Sequence, residues 1–136
     1  MKQHELEMWK GEKGRREIGK RGEDAAAQYL RRKRYKIVER NFRCKLGEMD
    51  IIAFEGDTLC FIEVKTVSGK NYGPPEIAVD INKQRKLSRV ALGFLGQNGL
   101  HDTKARFDVV GVTLSPEGER VELIKDAFEL AFPGFP

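Results

Sequence analysis

Two apolar segments meet at a two-residue turn in the middle of the chain, and this limits the fold more than any other feature. Residues 48–54 (EMDIIAF) and 58–67 (TLCFIEVKTV) flank Glu55-Gly56-Asp57. Gly56 can take the positive φ that a tight hairpin turn needs. With Gly56-Asp57 as the loop, Glu55 faces Thr58, and the same register carries Asp50 to a position directly across from Glu63. Side chains alternate along a strand, and opposed residues share a face. One face then holds Ile52, Phe54, Leu59 and Phe61; the other holds Met49, Ile51, Ala53, Cys60, Ile62 and Val64. A hairpin apolar on both sides belongs in a sheet covered by helices on both sides, so the expected class is α/β.

The end of the hairpin away from the turn differs. Glu48, Asp50, Glu63 and Lys65 continue the first face, with Glu48 across from Lys65. Directly opposed residues have Cβ atoms about 4.5–5.5 Å apart. Asp50 and Glu63 would therefore repel each other while losing hydration. A bound cation removes both penalties. Oxygen-only donors suit a hard ion, so Mg²⁺ or Mn²⁺ is the expected cofactor, held by Asp50, Glu63 and Glu48.

The rest of the chain supplies the cover. Residues 1–14 are polar and interrupted by Gly11 and Gly14, and read as a flexible tail or short helix in which Trp9 alone is suited to docking. Ile18, Gly22, Ala25, Ala26, Tyr29 and Leu30 share one arc of a helix over residues 16–33, with Glu23 at its border. A strand over 36–44 precedes the hairpin, and a Gly- and Pro-rich loop over 68–76 follows it. A second helix over 82–96 turns Leu87, Val90, Ala91, Phe94 and Leu95 inward. Strands over 106–114 and 120–125 complete one domain over 15–126, followed by an apolar, Pro-broken tail over 127–136.

Charge is uneven. Residues 1–46 carry 15 Lys and Arg against 7 Asp and Glu, whereas residues 47–136 carry 10 against 14. A basic N-terminal third suits a polyanion, with the Arg31-Arg32-Lys33-Arg34 run as its main cluster. Cys44 and Cys60 are too few for a disulfide framework or a four-cysteine zinc site, and read as reduced thiols. No apolar run reaches the roughly 18 residues of a membrane span, and no secretory h-region opens the chain, so a cytoplasmic location is expected. His4 and His101 lack a partner at ligand spacing. The GEKGRREIGKRG stretch lacks the P-loop pattern. Arg106 and Asp108 alternate on one strand and suit a structural ion pair. Tyr72 could stack on a base or pack its loop.

Several motifs together carry a resemblance. They are Gly19-Lys20-Arg21-Gly22-Glu23, Arg40-Asn41-Phe42-Arg43, Gly47-Glu48-Met49-Asp50-Ile51-Ile52-Ala53 and Phe61-Ile62-Glu63-Val64-Lys65-Thr66. Tyr72-Gly73-Pro74-Pro75, Lys83-Gln84-Arg85-Lys86-Leu87 and Arg106-Phe107-Asp108-Val109-Val110 extend the match over roughly residues 15–125. The set looks like the PD-(D/E)XK nuclease signature, and more closely resembles the small YraN family, itself similar to archaeal Holliday junction resolvases. The resemblance implies a restriction-endonuclease-like core: helix, three-strand antiparallel meander, helix, strand, in a mixed central sheet flanked by helices. It implies Asp50, Glu63 and Lys65 as catalytic residues, Glu23 as the helix-borne acid of resolvase-like members, and Gln84 or Lys83 near the same site. Val67 departs from the Arg that often follows E-V-K-T, which bears on a substrate contact.

The function so implied is metal-dependent, structure-selective endonuclease action on DNA, including branched or junction DNA. Arg31, Arg32, Arg34, Arg40, Arg43, Lys45 and Lys83 would hold the phosphate backbone, a mode of contact that carries little sequence information. Resolvase-like relatives are dimers, and the apolar tail offers a homodimer interface. Three rivals stay open: a nucleic-acid-binding module on the same fold that no longer cuts, an RNA-processing endonuclease, and a protein-interaction domain whose acids form only salt bridges.

Overall fold

The computed structural model describes residues 3–68 and 79–131, with side chains from residue 14 onward. Its centre is the expected hairpin. Strands β2 (Gly47–Glu55) and β3 (Thr58–Ser68) pair antiparallel with Glu55 opposite Thr58, and Gly56 takes φ +60° in the turn. β1 (Lys36–Cys44) pairs with the outer edge of β2 and completes the three-strand meander. Helix α2 (Ile81–Gln97), N-capped by the Asp80 carboxylate on Lys83 N–H, precedes β4 (Ala105–Ser115), which lies parallel to β3. β5 (Gly118–Phe128) returns antiparallel, so the sheet is mixed and its five strands lie in chain order.

Both faces of the hairpin are covered. Helix α1 (Gln3–Arg32) packs Ala25, Ala26, Ala27 and Leu30 on Ile51, Ala53, Cys60, Ile62, Val110 and Val112. Helix α2 packs Leu87, Val90, Ala91, Phe94 and Leu95 on Ile52, Leu59, Phe61, Phe107 and Val109. Fully burying one such aliphatic or aromatic side chain contributes about 1.5–3 kcal/mol, so these two layers dominate the stability of the fold. On the first layer the approach is close. A Cβ at Gly22 would overlap the Thr66 side chain, falling 2.7 Å from its Cγ2 and 2.8 Å from its Cβ.

Two boundaries differ from those read in the sequence. α1 begins at Gln3 rather than near residue 16, so one helix runs through residues 3–32. A helical Gly costs about 1 kcal/mol relative to Ala, and the Glu, Leu, Lys and Arg around Gly11 and Gly14 are good helix formers that offset it. β5 runs to Phe128 rather than Lys125. Asp126 at φ +54° absorbs an irregularity in the β4–β5 register, and Phe128 stacks on Phe107 with ring centroids 4.6 Å apart. The chain beyond it is tied to α2 by Ala131 N–H donating to Ser88 Oγ, 2.9 Å. The Trp9 side chain, Tyr72 and residues 132–136 lie outside the described residues.

Arg106 and Asp108 form the expected ion pair, within a larger network. Asp108 is fully buried and accepts from Arg106 Nε at 2.9 Å, from Tyr35 Oη at 3.1 Å and from Asp126 N–H at 2.9 Å. Glu55 bridges Arg106 and Lys125, 2.7 Å from each. Burial first, and Asp108 second, push the Cys60 thiol up to about 12, so this cysteine stays a protonated core residue. Both Cys44 and Cys60 are free thiols.

Candidate active site

The alternation of the meander shifts between Ile37 and Glu39 and breaks again at Asn41, and this second break lies at the site. Arg40 pairs with Ile51, which packs under α1; two residues on, Phe42 pairs with Met49, and both pack under α2. Strict alternation places Met49 with Ile51, as the sequence reading had it. The strands reverse their faces between these pairs because Asn41 sits in the left-handed region at φ +53°. Asn is among the few residues other than Gly that adopt this conformation at little cost. Opposite it, Asp50 is released from regular pairing.

At the same level β2 and β3 part. Their ladder holds the expected register from Glu55–Thr58 to Ile51–Ile62 and ends there. The Asp50 carboxylate takes over the next position, accepting from Val64 N–H at 2.8 Å. Beside it stands Glu63, 8% exposed, within hydrogen-bonding reach of the Asp50 carboxyl. Burial, followed by the contact with and charge of Glu63, pushes the Asp50 carboxyl up to about 8, against the smaller opposing effects of Val64 N–H and Lys83. Asp50 is thereby held well above the usual carboxylate range, as expected of a buried carboxyl beside a second acid.

A cavity of about 320 Å³ opens from Asp50 toward α1, lined by Arg15, Ile18, Gly19, Glu23, Val64 and Thr66. Glu23, at the border of the helix arc as expected, accepts a hydrogen bond from Asn41. Its carboxyl is raised by burial and by the nearby Asp50. On the other side of the sheet, Lys83 Nζ lies 3.3 Å from Glu63 Oε2. One line of groups therefore crosses the parted strands: Glu23 on α1, Asp50 on β2, Glu63 on β3, Lys83 on α2.

The structure gathers only part of the residues expected from sequence. Glu23, Asp50 and Glu63 come together. Lys65, half-buried on β3 and paired with Gly111 of β4, lies two positions beyond Glu63. Glu48 does not join them. The β2–β3 ladder ends before it, and its side chain, 63% exposed, pairs with Arg43 at 3.3 Å. Gln84 donates its side-chain amide to Val79 O at 2.7 Å and so fixes the approach to α2. Among the basic residues, Lys83 meets Glu63, and Arg40 meets Asp24 at 2.8 Å. Lys45 is exposed in the β1–β2 turn. Arg31, Arg32 and Arg34 are exposed at the opposite end of the sheet, beside Tyr35 and the Lys36–Phe54 pair. Arg15, Gly19, Asn41 and Thr66 were not singled out as site residues. The left-handed preference of Asn between two residues of opposite polarity was the signal available for one of them.

The donor set agrees with a hard cation. Among the described residues no three His, Cys, Asp or Glu side chains converge as a ready-made cage. Mg²⁺ is commonly held by one or two carboxylates, with waters and substrate phosphates filling its octahedron. Asp50, which lines the cavity, and the adjacent Glu63 are carboxylates of the kind that requirement calls for. No described helix is long and apolar enough to cross a membrane.

Residues 22–112, which contain every group of this line, match the model of a family described as "Uncharacterised protein family UPF0102". The chain belongs to UPF0102. This is the YraN family of the sequence motifs. A UPF0102 protein of Geobacter sulfurreducens is 53% identical over 116 residues, covering 85% of this chain and 91% of its own. One from Syntrophus aciditrophicus is 53% identical over 114 residues, covering 84% and 90%. One from Caldicellulosiruptor saccharolyticus is 46% identical over 116 residues, covering 84% and 98%. This UPF0102 chain thus shares nearly the whole length of its relatives, and the line of acids lies inside the shared part.

Proposed function

We propose that this UPF0102 protein is a metal-dependent endonuclease of the PD-(D/E)XK type, acting on DNA by structure rather than sequence, with branched or junction DNA as the substrate class. The observation that carries the reading is the pair Asp50 and Glu63, brought together where β2 and β3 part, with Asp50 lining a cavity beside α1. The order of elements supports a restriction-endonuclease-like core: α1, a three-strand meander, α2 and a parallel β4.

Asp50 and Glu63 would hold Mg²⁺ or Mn²⁺, and the bound ion would supply an activated water and neutralise charge on the scissile phosphate. Val64 N–H fixes the Asp50 carboxylate, leaving its other oxygen for the ligand. Lys65 orients the attacking water or stabilises the charge that develops on the phosphoryl oxygens. Glu23, held by Asn41, borders the cavity on the α1 side and completes its polar wall. Arg15 at the cavity rim is placed to meet the phosphate backbone. Such contacts follow the backbone and do not read bases.

The test is Mn²⁺ titration by calorimetry on wild type and an Asp50→Asn/Glu63→Gln double variant, followed by cleavage assays on linear, flapped and four-way DNA and on RNA. Metal binding lost in the double variant, with cleavage lost in Lys65→Ala, is the expected result. Cleavage that survives both changes would overturn the reading.

A further inference from the structure

Lys83 occupies an unfavourable position for a cation. It lies in the first turn of α2, the positive end of the helix dipole, and that turn contains no acidic residue. Its Nζ nevertheless reaches across to Glu63 Oε2 at 3.3 Å. The partners differ in exposure: the Glu63 side chain is 11% exposed and the Lys83 side chain 46%. The carboxylate is fixed in the sheet, while the ammonium sits at the end of a flexible stem with solvent beside it. Of the two, Lys83 is the member that can leave.

We propose that Lys83 is a built-in counter-ion for Glu63 that a divalent metal must displace. This rests on the metal-site reading of Asp50 and Glu63. Lys83 already neutralises the charge of Glu63, so a divalent ion drawn to this carboxylate competes with the ammonium for it. Free protein therefore holds metal weakly. A substrate phosphate beside the site offers the ammonium a new partner and releases Glu63, so metal and nucleic acid bind cooperatively. The coupling is reciprocal by linkage.

The experiment measures Mn²⁺ affinity by calorimetry in a Lys65→Ala background, which suppresses turnover, with and without a short DNA duplex. Lys83 is then changed to Gln, or to Arg to keep the charge. With Lys83 present, DNA raises Mn²⁺ affinity roughly tenfold, the size of one charge-assisted contact. Lys83→Gln binds Mn²⁺ roughly tenfold more tightly without DNA, and DNA then adds less than about twofold. Lys83→Arg restores the weak, DNA-dependent pattern, and thermal melts of all variants report folding. Mn²⁺ affinity unchanged or weakened in Lys83→Gln overturns the proposal and leaves the metal site standing. No Mn²⁺ binding in any variant, with or without DNA, overturns the metal site and the proposal together.

Discussion

Two buried carboxylate centres lie on the same sheet and are treated in opposite ways. Asp108 is fully buried, yet the Arg106 guanidinium, the Tyr35 hydroxyl and Asp126 N–H all donate to it. Among the described residues, Asp50 accepts from Val64 N–H, Glu63 meets the half-exposed Lys83, and the two acids lie beside each other. The first centre is satisfied by the chain itself and serves the fold. In the second, two acids lie together and Asp50 lines a cavity, an arrangement that suits a cation. Buried charges with complete partners are common structural devices, whereas strongly shifted ones in a cavity mark candidates for function.

The contrast is broken most severely by removing the partner at the satisfied centre. Arg106→Leu leaves Asp108 buried without its main counter-charge, at a cost of about 3–5 kcal/mol. Urea denaturation at pH 7 measures this, and a loss below about 1 kcal/mol would show that Asp108 is not dependent on Arg106. Mn²⁺ affinity of the folded protein stays within about twofold, because the network shares no member with the line of acids.

At the second centre the expected effect is a pH dependence of opposite origin. The Asp50 carboxyl titrates at about 8 in the folded protein, against its ordinary value of 3.8. The folded state therefore binds more protons than the unfolded state in this window, and stability falls as pH rises from about 4 to about 8. The full shift overstates the effect because Asp50 borders a cavity that admits water. A loss on the order of 2–3 kcal/mol is expected. Asp50→Asn flattens this slope and is more stable than wild type at pH 8. If the two stability–pH curves run parallel, Asp50 is not under strain.

The contrast also separates what the sequence could reveal from what it could not. The hairpin, its register from Ile51 to Ile62 and, apart from Met49, both core faces were legible because apolar alternation around Gly56-Asp57 is a local pattern. That register put Asp50 directly across from Glu63, whereas the ladder ends at Ile51–Ile62 and the two acids meet beyond it. Glu48 was misplaced because extending the ladder assumed regular pairing, and Asn41 ends that regularity through its backbone conformation. The basic residues were legible as a composition but not as positions. The Arg31–Arg34 run lies about 20 Å or more along α1 from Arg15, at 1.5 Å per residue. The seating of α1 on Thr66 through Gly22 was hidden too, because a glycine in a helix pattern does not disclose its neighbour.

That seating can be tested. Ala is normally better than Gly in a helix by about 1 kcal/mol. At Gly22 a methyl group meets the Thr66 side chain, and overpacking costs about 1–3 kcal/mol. The clash prevails, so Gly22→Ala is destabilised by about 1–2 kcal/mol and loses Mn²⁺ affinity as α1 shifts off the cavity. Gly14→Ala, where a Cβ meets nothing within 4 Å, is neutral or stabilised. Equal effects at both positions would remove the close approach from the account of the site.

The smallest expected effect discriminates most finely. Glu48 is an acid of the same motif as Asp50, two residues away, and sequence alone places both in one metal site. In the structure it pairs with Arg43 at 3.3 Å, and both side chains are largely exposed, at 63% and 74%. An exposed pair of this kind contributes less than about 0.5 kcal/mol. Glu48→Gln should therefore change neither stability nor Mn²⁺ affinity by more than about twofold in the equilibrium constant. A marked loss of metal affinity in Glu48→Gln would mean that β2 closes on β3 beyond Ile51 when the ion binds. The ladder would then extend to the register that the hairpin turn dictates, and the parted strands would be the metal-free form of the site.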